Sequence, residues 1–443
     1  MHRCLCGVQR GTIRLKVWSN KRYYAPPPPM HIKGSKEPIE SKTIVEIKEK
    51  MMQRLGLEPG YNLQPKSREH LLQYQPKAEE LPPRAMQDSF SSAIIPLSTD
   101  RLMQDKYMNF YGHVRMGRLM EDMDLFAAWC CHGHLSVPTL PEGVHLPYTF
   151  VTILVDNIDF AANHTLGTHD IRLSGHVSWV GSSSMEVVVW LEQVIDGEIN
   201  PVTHALFLMG ARNATNTAAA AVNPIEPSNE KEKVILAGGA ERKRRRQEWV
   251  SSTEQFQPTV EEIAIMSELH RTTSARDTLE LNKRNLPENC RWMKDSFQTN
   301  TTPSFPEHRN HHNRVFGGYL MRTALEISWV AVFLYSKSRP YLKQISDIVF
   351  QKPVPVDSLI KTTAYVVYTW RNYLQIRTVC DVIDKNTGDQ VTTNTFNFTF
   401  AVSEDIVVPQ VLPLSFHETI WYTHGRRRFE STEAFKEQSK DCH

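Results

Sequence analysis

The chain lacks the marks of several large protein classes. Its 443 residues contain no apolar run long enough to cross a bilayer; the longest candidate, Ile327 to Tyr335, falls far short. Seven cysteines include no Cys-x-x-Cys pair, which removes both a zinc ribbon and a disulfide framework. Cys130 and Cys131 lie in an apolar stretch and read as core residues of a protein from a reducing compartment. A net charge of only +2 gives no bulk attraction for nucleic acid. There is no Walker or Rossmann glycine pattern, so neither nucleotide hydrolysis nor hydride transfer is supported, and no Ser or Cys nucleophile motif is present. Acidic residues are absent before Glu37, while Arg3, Arg10, Arg14, Lys16, Lys21 and Arg22 punctuate Leu5, Val8, Ile13, Leu15, Val17 and Trp18. This acid-free, cationic, amphipathic segment has the pattern of a mitochondrial transit peptide over residues 1–24, cut ahead of Ala25.

What is present is a repeat. Asn109-Phe-Tyr-Gly-His-Val-Arg-Met-Gly117-Arg-Leu-Met120 and Asn310-His-His-Asn-Arg-Val-Phe-Gly-Gly318-Tyr-Leu-Met321 share Asn, Val, Gly, Leu and Met in one register, at an offset of 201 from Gly117 to Gly318. A period this long points to a duplicated domain rather than a solenoid unit. Each copy reads as a polar loop running into a buried helix, whose N-terminal N–H groups can hold an oxyanion.

The surrounding pattern divides the chain. Pro26 to Pro29 open an extended connector, and residues 25–85 form an N-terminal extension with a helix near Ile44 to Leu55. The first domain spans 86–215, with a helix over Gly117 to Cys131 and strands over Phe150 to Phe160, Ile171 to Val180, Met185 to Val194 and Val202 to Ala211. Residues 216–288 are a linker and helical connector, in which Arg242-Lys-Arg-Arg-Arg246 reads as a solvated helix face. The second domain, 289–405, repeats the first: a helix near Gly318 to Ser336, then strands near Gln344 to Phe350, Leu359 to Trp370, Tyr373 to Ile383 and Gln390 to Phe400. Residues 406–443 read as a polar tail. One long apolar helix with about five strands gives an α+β fold, an antiparallel sheet wrapped around a helix, present twice. Edge-to-edge pairing of the copies removes an exposed edge from each and brings the helix start of one near the loops of the other.

The residues that could carry chemistry cluster at these helix starts. Gly117, Gly317 and Gly318 permit close approach of a ligand to the backbone, or tight helix packing. Asn109 and Asn310 can orient a water or hold a carbonyl oxygen, or can serve as turn residues. Asp124 and Glu326 lie on the helices in apolar surroundings, where a carboxylate gains a raised pKa suited to a general base; the alternative is a place on the helix rim. Glu121 and Asp122 read as solvated. His308, two residues before Asn310, is a further candidate for water activation. His311 and His312 find no fitting partner in the sequence, so neither a metal nor a cofactor is expected, while His132 and His134 read as caps. The hairpin turns Ser182, Ser183, Ser184 and Arg371-Asn372 offer hydroxyls and a guanidinium to a phosphate or pantetheine arm, or are ordinary turns.

His308-Arg-Asn-His-His-Asn-Arg-Val-Phe-Gly-Gly318 and Gly181-Ser-Ser-Ser-Met-Glu-Val187 resemble the loop-helix and strand-turn motifs of the double-hotdog acyl-coenzyme A thioesterases, and the resemblance covers roughly residues 90–405. It implies two hotdog domains in tandem and cleavage of fatty acyl-CoA to free acid and CoA; the lack of a Ser or Cys nucleophile motif points to attack by an activated water. It implies CoA contacts at the serine turn and at Arg371-Asn372, a mitochondrial location and a homo-trimer or higher assembly. In the family an Asn from one half and an Asp from the other serve one site. Asn109 and Asn310 fall at the Asn position; the Asp position falls on Tyr107 and His308, which leaves Asp124, Glu326 or His308 as base. In this scheme the Gly318 N–H polarises the thioester oxygen. Other readings are an enoyl-CoA hydratase, which needs a His and Asp around the β-carbon, and an acyl-CoA sensor that binds without turnover.

Overall fold

The computed structural model describes residues 42–56, 67–160, 165–252, 257–274, 283–308, 310 and 314–432, the side chains of 247–252 excepted. The expected transit peptide, the Pro26–Pro29 connector, His311, His312 and residues 433–443 lie outside the described residues.

The strands are β1 (Lys42–Thr43), β2 (Ser91–Ile95), β3 (Tyr148–Val155), β4 (Ile158–Asp159), β5 (Ile171–Val180), β6 (Ser184–Ile195), β7 (Glu198–Asn213), β8 (Cys290–Trp292), β9 (Gln298–Pro303), β10 (Tyr341–Ile345), β11 (Ile348–Val349), β12 (Leu359–Trp370), β13 (Tyr373–Ile383), β14 (Gln390–Ala401) and β15 (Gln410–Leu412). The α-helices are α1 (Ile44–Leu55), α2 (Arg101–Tyr107), α3 (Met116–His134), α4 (Glu230–Ser252), α5 (Val260–Thr273), α6 (Gly317–Ser336) and α7 (Phe416–Ser431).

Two sheets carry the fold, in the orders β1-β2-β5-β6-β7-β3-β11 and β4-β10-β14-β13-β12-β9. Apart from the parallel β1–β2 pair, their ladders are antiparallel. The first sheet packs on α3 and the second on α6, so each half is a helix laid in an antiparallel sheet. Sequence explains the burial. Leu119, Met120, Met123, Phe126, Ala127 and Cys130 recur at helical spacing on α3 and are all buried, while Phe396, Phe398 and Phe400 alternate along β14 and point inward.

The halves are stitched by reciprocal short strands. The single apolar run expected at Phe150 to Phe160 breaks into β3 and β4, and its counterpart breaks into β10 and β11. After each break the chain crosses to the other half: Ile158 pairs with Ile345 of β10, and Ile348 pairs with Val155 of β3. The Asn157 N–H donates to Asp347 Oδ1 at 2.7 Å across this seam.

The segments outside the two halves are structured too. Thr43 caps α1, its hydroxyl accepting the Glu46 N–H at 3.2 Å while the Glu46 carboxylate accepts the Thr43 N–H at 2.7 Å, and Gly56 ends the helix at φ 68°. The basic run on α4, expected to be solvated, is in part buried. Arg242 is 5% exposed and its Nε donates to both oxygens of the fully buried Glu186 at 3.0 Å, and Arg246 adds bonds to Glu186 at 2.9 Å and Asp156 at 3.1 Å. Burial works against the Glu186 charge, but Arg242 and Arg246 outweigh it and hold its pKa below the ordinary value. The stretch read as a polar tail carries β15 and α7, whose Tyr422 and Phe429 are buried against β12 while Arg426 and Arg427 pair outward with Glu261 and Glu262 of α5.

Candidate active site

The two asparagines of the repeat make the same hydrogen bonds. The Asn109 N–H donates to the His113 carbonyl at 2.8 Å and the Asn310 N–H to the Arg314 carbonyl at 2.7 Å. In each, the side-chain Oδ1 accepts the N–H of the same partner, at 3.2 Å from His113 and 3.1 Å from Arg314. Both asparagines therefore tie the loop that feeds the long helix. Their surroundings differ: Asn310 lines a large cleft, whereas Asn109 is not among its walls.

Helices α3 and α6 cross antiparallel, each with a glycine at the crossing. A Cβ on Gly117 would lie 3.2 Å from the Arg322 carbonyl oxygen, and one on Gly318 would lie 3.0 Å from Glu121 Cα and 3.1 Å from Asp124 Oδ2. This approach delivers Asp124 to the N-terminus of the opposite helix. The Gly318 N–H donates to Asp124 Oδ2 at 2.8 Å, and Thr152 Oγ1 donates to Asp124 Oδ1 at 2.5 Å. Burial pushes the Asp124 pKa up to about 6 against these two hydrogen bonds, which pull it down. Thr152 was not singled out from the sequence. It sits where the β3–β7 register shifts by one residue, a bulge that local residue order does not announce.

Asp124 lines the same cleft as Asn310, a space of about 1920 Å3. Leu125, Ala128 and His132 of α3 form one wall, Phe150 to Ile153 of β3 another, and Phe316 and Gly317 the lip of α6. Met51, Met52 and Leu55 of α1 close the cleft from the N-terminal extension. Lys48, Arg212, Arg314 and Lys352 also border it. Gly317 opens α6, so its N–H has no partner within the helix, and none among the other described residues accepts from it.

The remaining candidates separate. Ser183 and Ser184 reach the cleft, while Ser182 faces a neighbouring groove with Trp179 and Lys233. Arg371 and Asn372 form the β12–β13 turn away from it: Arg371 has φ 53° and lies 4.5 Å over the Trp370 ring, and Asn372 donates to the Val402 carbonyl at 2.8 Å. Glu326 pairs with Arg115 and, at 3.8 Å, with Arg322, outside the cleft. The His308 ring stacks on Tyr319 at 3.8 Å and does not line the cleft, and burial lowers its pKa. Asp122, read as solvated, is buried and accepts the Tyr107 hydroxyl at 2.6 Å; burial pushes its pKa up to about 7. The residue one repeat after Asp124 is Leu325, and among the described residues no carboxylate accepts the Gly117 N–H as Asp124 accepts that of Gly318.

No family model matches the chain. It is 36% identical over 394 residues to mouse mitochondrial acyl-coenzyme A thioesterase 9, covering 88% of this chain and 89% of that one. It is 35% identical over 393 residues to the human protein of the same name, covering 88% of each. Among solved structures, it is similar to the Staphylococcus aureus acyl-CoA hydrolase in complex with butyryl coenzyme A, coenzyme A and coenzyme A disulfide, at 22% identity and a TM-score of 0.32, covering 34% of this chain and 96% of that one. On its likeness to the mouse and human proteins, which runs through most of both chains, this chain belongs to the mitochondrial acyl-coenzyme A thioesterase 9 family.

Proposed function

We propose that the chain hydrolyses acyl-CoA to a free fatty acid and CoA at one centre, built from Asp124 and Thr152 of the first half and Asn310 and Gly317 of the second. The observation that carries this reading is the contact of Asp124 with the start of α6, at 2.8 Å from the Gly318 N–H, on the wall of the cleft. The carboxylate accepts a proton from water as the water oxygen attacks the thioester carbonyl carbon, and the Asn310 amide orients that water. The Gly317 N–H holds the oxyanion. The Gly318 N–H, expected in that role, is taken up by Asp124 and fixes the base instead. Collapse of the tetrahedral intermediate breaks the C–S bond, and the CoA thiolate leaves with the proton held by Asp124.

The apolar α3 wall suits an acyl chain, and Lys48, Arg212, Arg314 and Lys352 suit the CoA phosphates, with Ser183 and Ser184 beside the pantetheine arm. The two helix-on-sheet halves correspond to a double hotdog, with α1 of the N-terminal extension as part of the site and α4, α5 and α7 as an outer brace. The relatives' mitochondrial names and the acid-free N-terminus support import into mitochondria and removal of residues 1–24. A homo-trimer or higher assembly is the expected state.

The test is thiol release across saturated acyl-CoAs from acetyl to palmitoyl, with the wild type and Asp124→Asn. Turnover in the wild type and its loss in the variant support the reading; equal turnover in both removes Asp124 from the chemistry.

A further inference from the structure

Arg68 is a half-buried guanidinium with no counter-ion among the described residues. Its Nη2 donates to the Leu146 carbonyl at 2.8 Å and its Nη1 to the Tyr148 carbonyl at 3.3 Å, while Nε is buried and unpartnered. Carbonyl dipoles satisfy hydrogens but leave the net charge uncompensated, and burial pushes the Arg68 pKa down to about 10. Arg68 lines the cleft, and so does His132, which is 4% exposed with an unpartnered Nδ1.

These two groups converge on the start of β3. His132 meets the Phe150 ring edge-on at 4.9 Å, and Phe150 stacks on Tyr148, the residue whose carbonyl Arg68 holds, at 6.5 Å. A second cation, Arg54, lies 4.4 Å over Trp129, one turn before His132. Burial first, then Arg54 and Arg68, push the His132 pKa down to about 3, so the ring is neutral and presents one N–H to an acceptor. No carboxylate pairs with Arg54 or Arg68 among the described residues. A half-buried cation and a buried neutral imidazole thus line one cleft with no anion between them among the described residues.

We propose that Arg68 and His132 form an anion subsite on the wall of the cleft, supplied jointly by the N-terminal extension and α3, that takes an anionic group of the substrate. Two sources carry that chemistry: a carboxylate at the distal end of the acyl chain, or a phosphate of CoA. This rests on the acyl-CoA reading of the cleft. His132 follows Asp124 by eight residues, about 12 Å along the helix, which an extended chain spans in roughly ten bonds.

The experiment uses the full chain and three thioesters: decanoyl-CoA, sebacoyl-CoA (the same carbon chain ending in a carboxylate) and decanoyl-dephospho-CoA. Each is hydrolysed by the wild type, Arg68→Leu, Arg68→Lys and His132→Leu. In the wild type, adding the carboxylate lowers KM, or removing the phosphate raises it, by about tenfold or more. The first result assigns the acyl end and the second the CoA phosphate. Arg68→Leu erases that difference with kcat retained, Arg68→Lys restores most of it, and His132→Leu shrinks it. A role for Arg68 as a mere strap on the 146–148 backbone predicts equal losses for all three thioesters. Differences that are absent in the wild type, or unchanged in Arg68→Leu and His132→Leu, overturn the subsite. If Arg68→Leu does not fold, His132→Leu and Arg68→Lys decide alone. If the wild type releases no thiol from any of the three, the thioesterase reading fails. Calorimetric titration of the same thioesters against wild type and His132→Leu then still decides the subsite.

Discussion

The Gly318 N–H and the Asp124 carboxylate meet at 2.8 Å although they belong to different halves of the chain. Each supports the other: the helix start stabilises the carboxylate, and the carboxylate satisfies a donor that the helix cannot. Asp124→Asn keeps the shape and removes the proposed base. It is expected to lower kcat by about a hundredfold or more, as a lost general base does, with KM little changed. Its melting temperature should equal or exceed that of the wild type, because burying a neutral amide avoids the cost of burying a charge. A melting scan beside the kinetic assay checks both.

With burial pushing Asp124 up to about 6, the proposed base carries its charge mainly above that pH. The profile of kcat/KM is therefore expected to rise with pH through about 6 and then level off. The same shift acts on stability with the opposite sign. A carboxyl raised from 3.8 to about 6 in the folded state binds its proton more tightly there, so its contribution is full below 3.8 and is lost as pH rises through about 6. A profile that is flat between pH 5 and pH 7 would remove Asp124 as the proton acceptor.

The two adjacent glycines should respond differently to alanine. At Gly318 the new methyl meets Glu121 Cα at 3.0 Å, a backbone atom that moves only if α3 and α6 part. Gly318→Ala is expected to cost about 1–3 kcal/mol of stability and most of the activity. At Gly317 the methyl meets the rim of the Phe350 ring at 3.0 Å, which can turn aside, and the N–H remains. Gly317→Ala should keep kcat within a few-fold. Denaturant titration and thiol release on both variants test the contrast.

The asparagines separate the two helix starts. Asn310→Ala is expected to lower turnover, whereas Asn109→Ala loosens its loop and leaves turnover near the wild-type level, because Asn109 does not line the cleft. Calorimetric titration with CoA should find one site per chain. Two equivalent sites, or equal losses in the two variants, would contradict a single centre.

Outside the site, Arg242→Ala would leave Glu186 buried without its closest counter-ion, although Arg246 still reaches it at 2.9 Å. Removing one partner of such a pair is expected to cost about 3–5 kcal/mol, read as a fall in the denaturation midpoint, with KM for acyl-CoA unchanged in the folded enzyme.

Local pattern made much of this fold legible. The limits of β12 and β13 match the expected strands because alternating residues flank a plain two-residue turn, and α1 matches because Thr43 and Gly56 mark its ends. The repeated Asn and Gly were legible because they recur in register. What escaped depends on contacts between distant segments. Asp122 and Asp124 are two residues apart and equally acidic, yet one meets Tyr107 and the other the opposite helix, which only the helix crossing decides. Thr152 depends on a bulge, Arg242 on which side of α4 meets β6, and the cleft wall on the return of α1 from the extension. The crossing after Val155 broke an apolar run that periodicity alone read as continuous.

Joining both halves in a single polypeptide carries one more consequence. In an assembly of identical subunits, any change at a symmetric position strikes every centre at once. Here the residue one repeat after Asp124 is Leu325, so the two helix starts of one chain can differ without changing each other's residues. The repeat itself carries such a difference, since Phe110, exposed beside Trp329 with rings 5.8 Å apart, stands in register with His311.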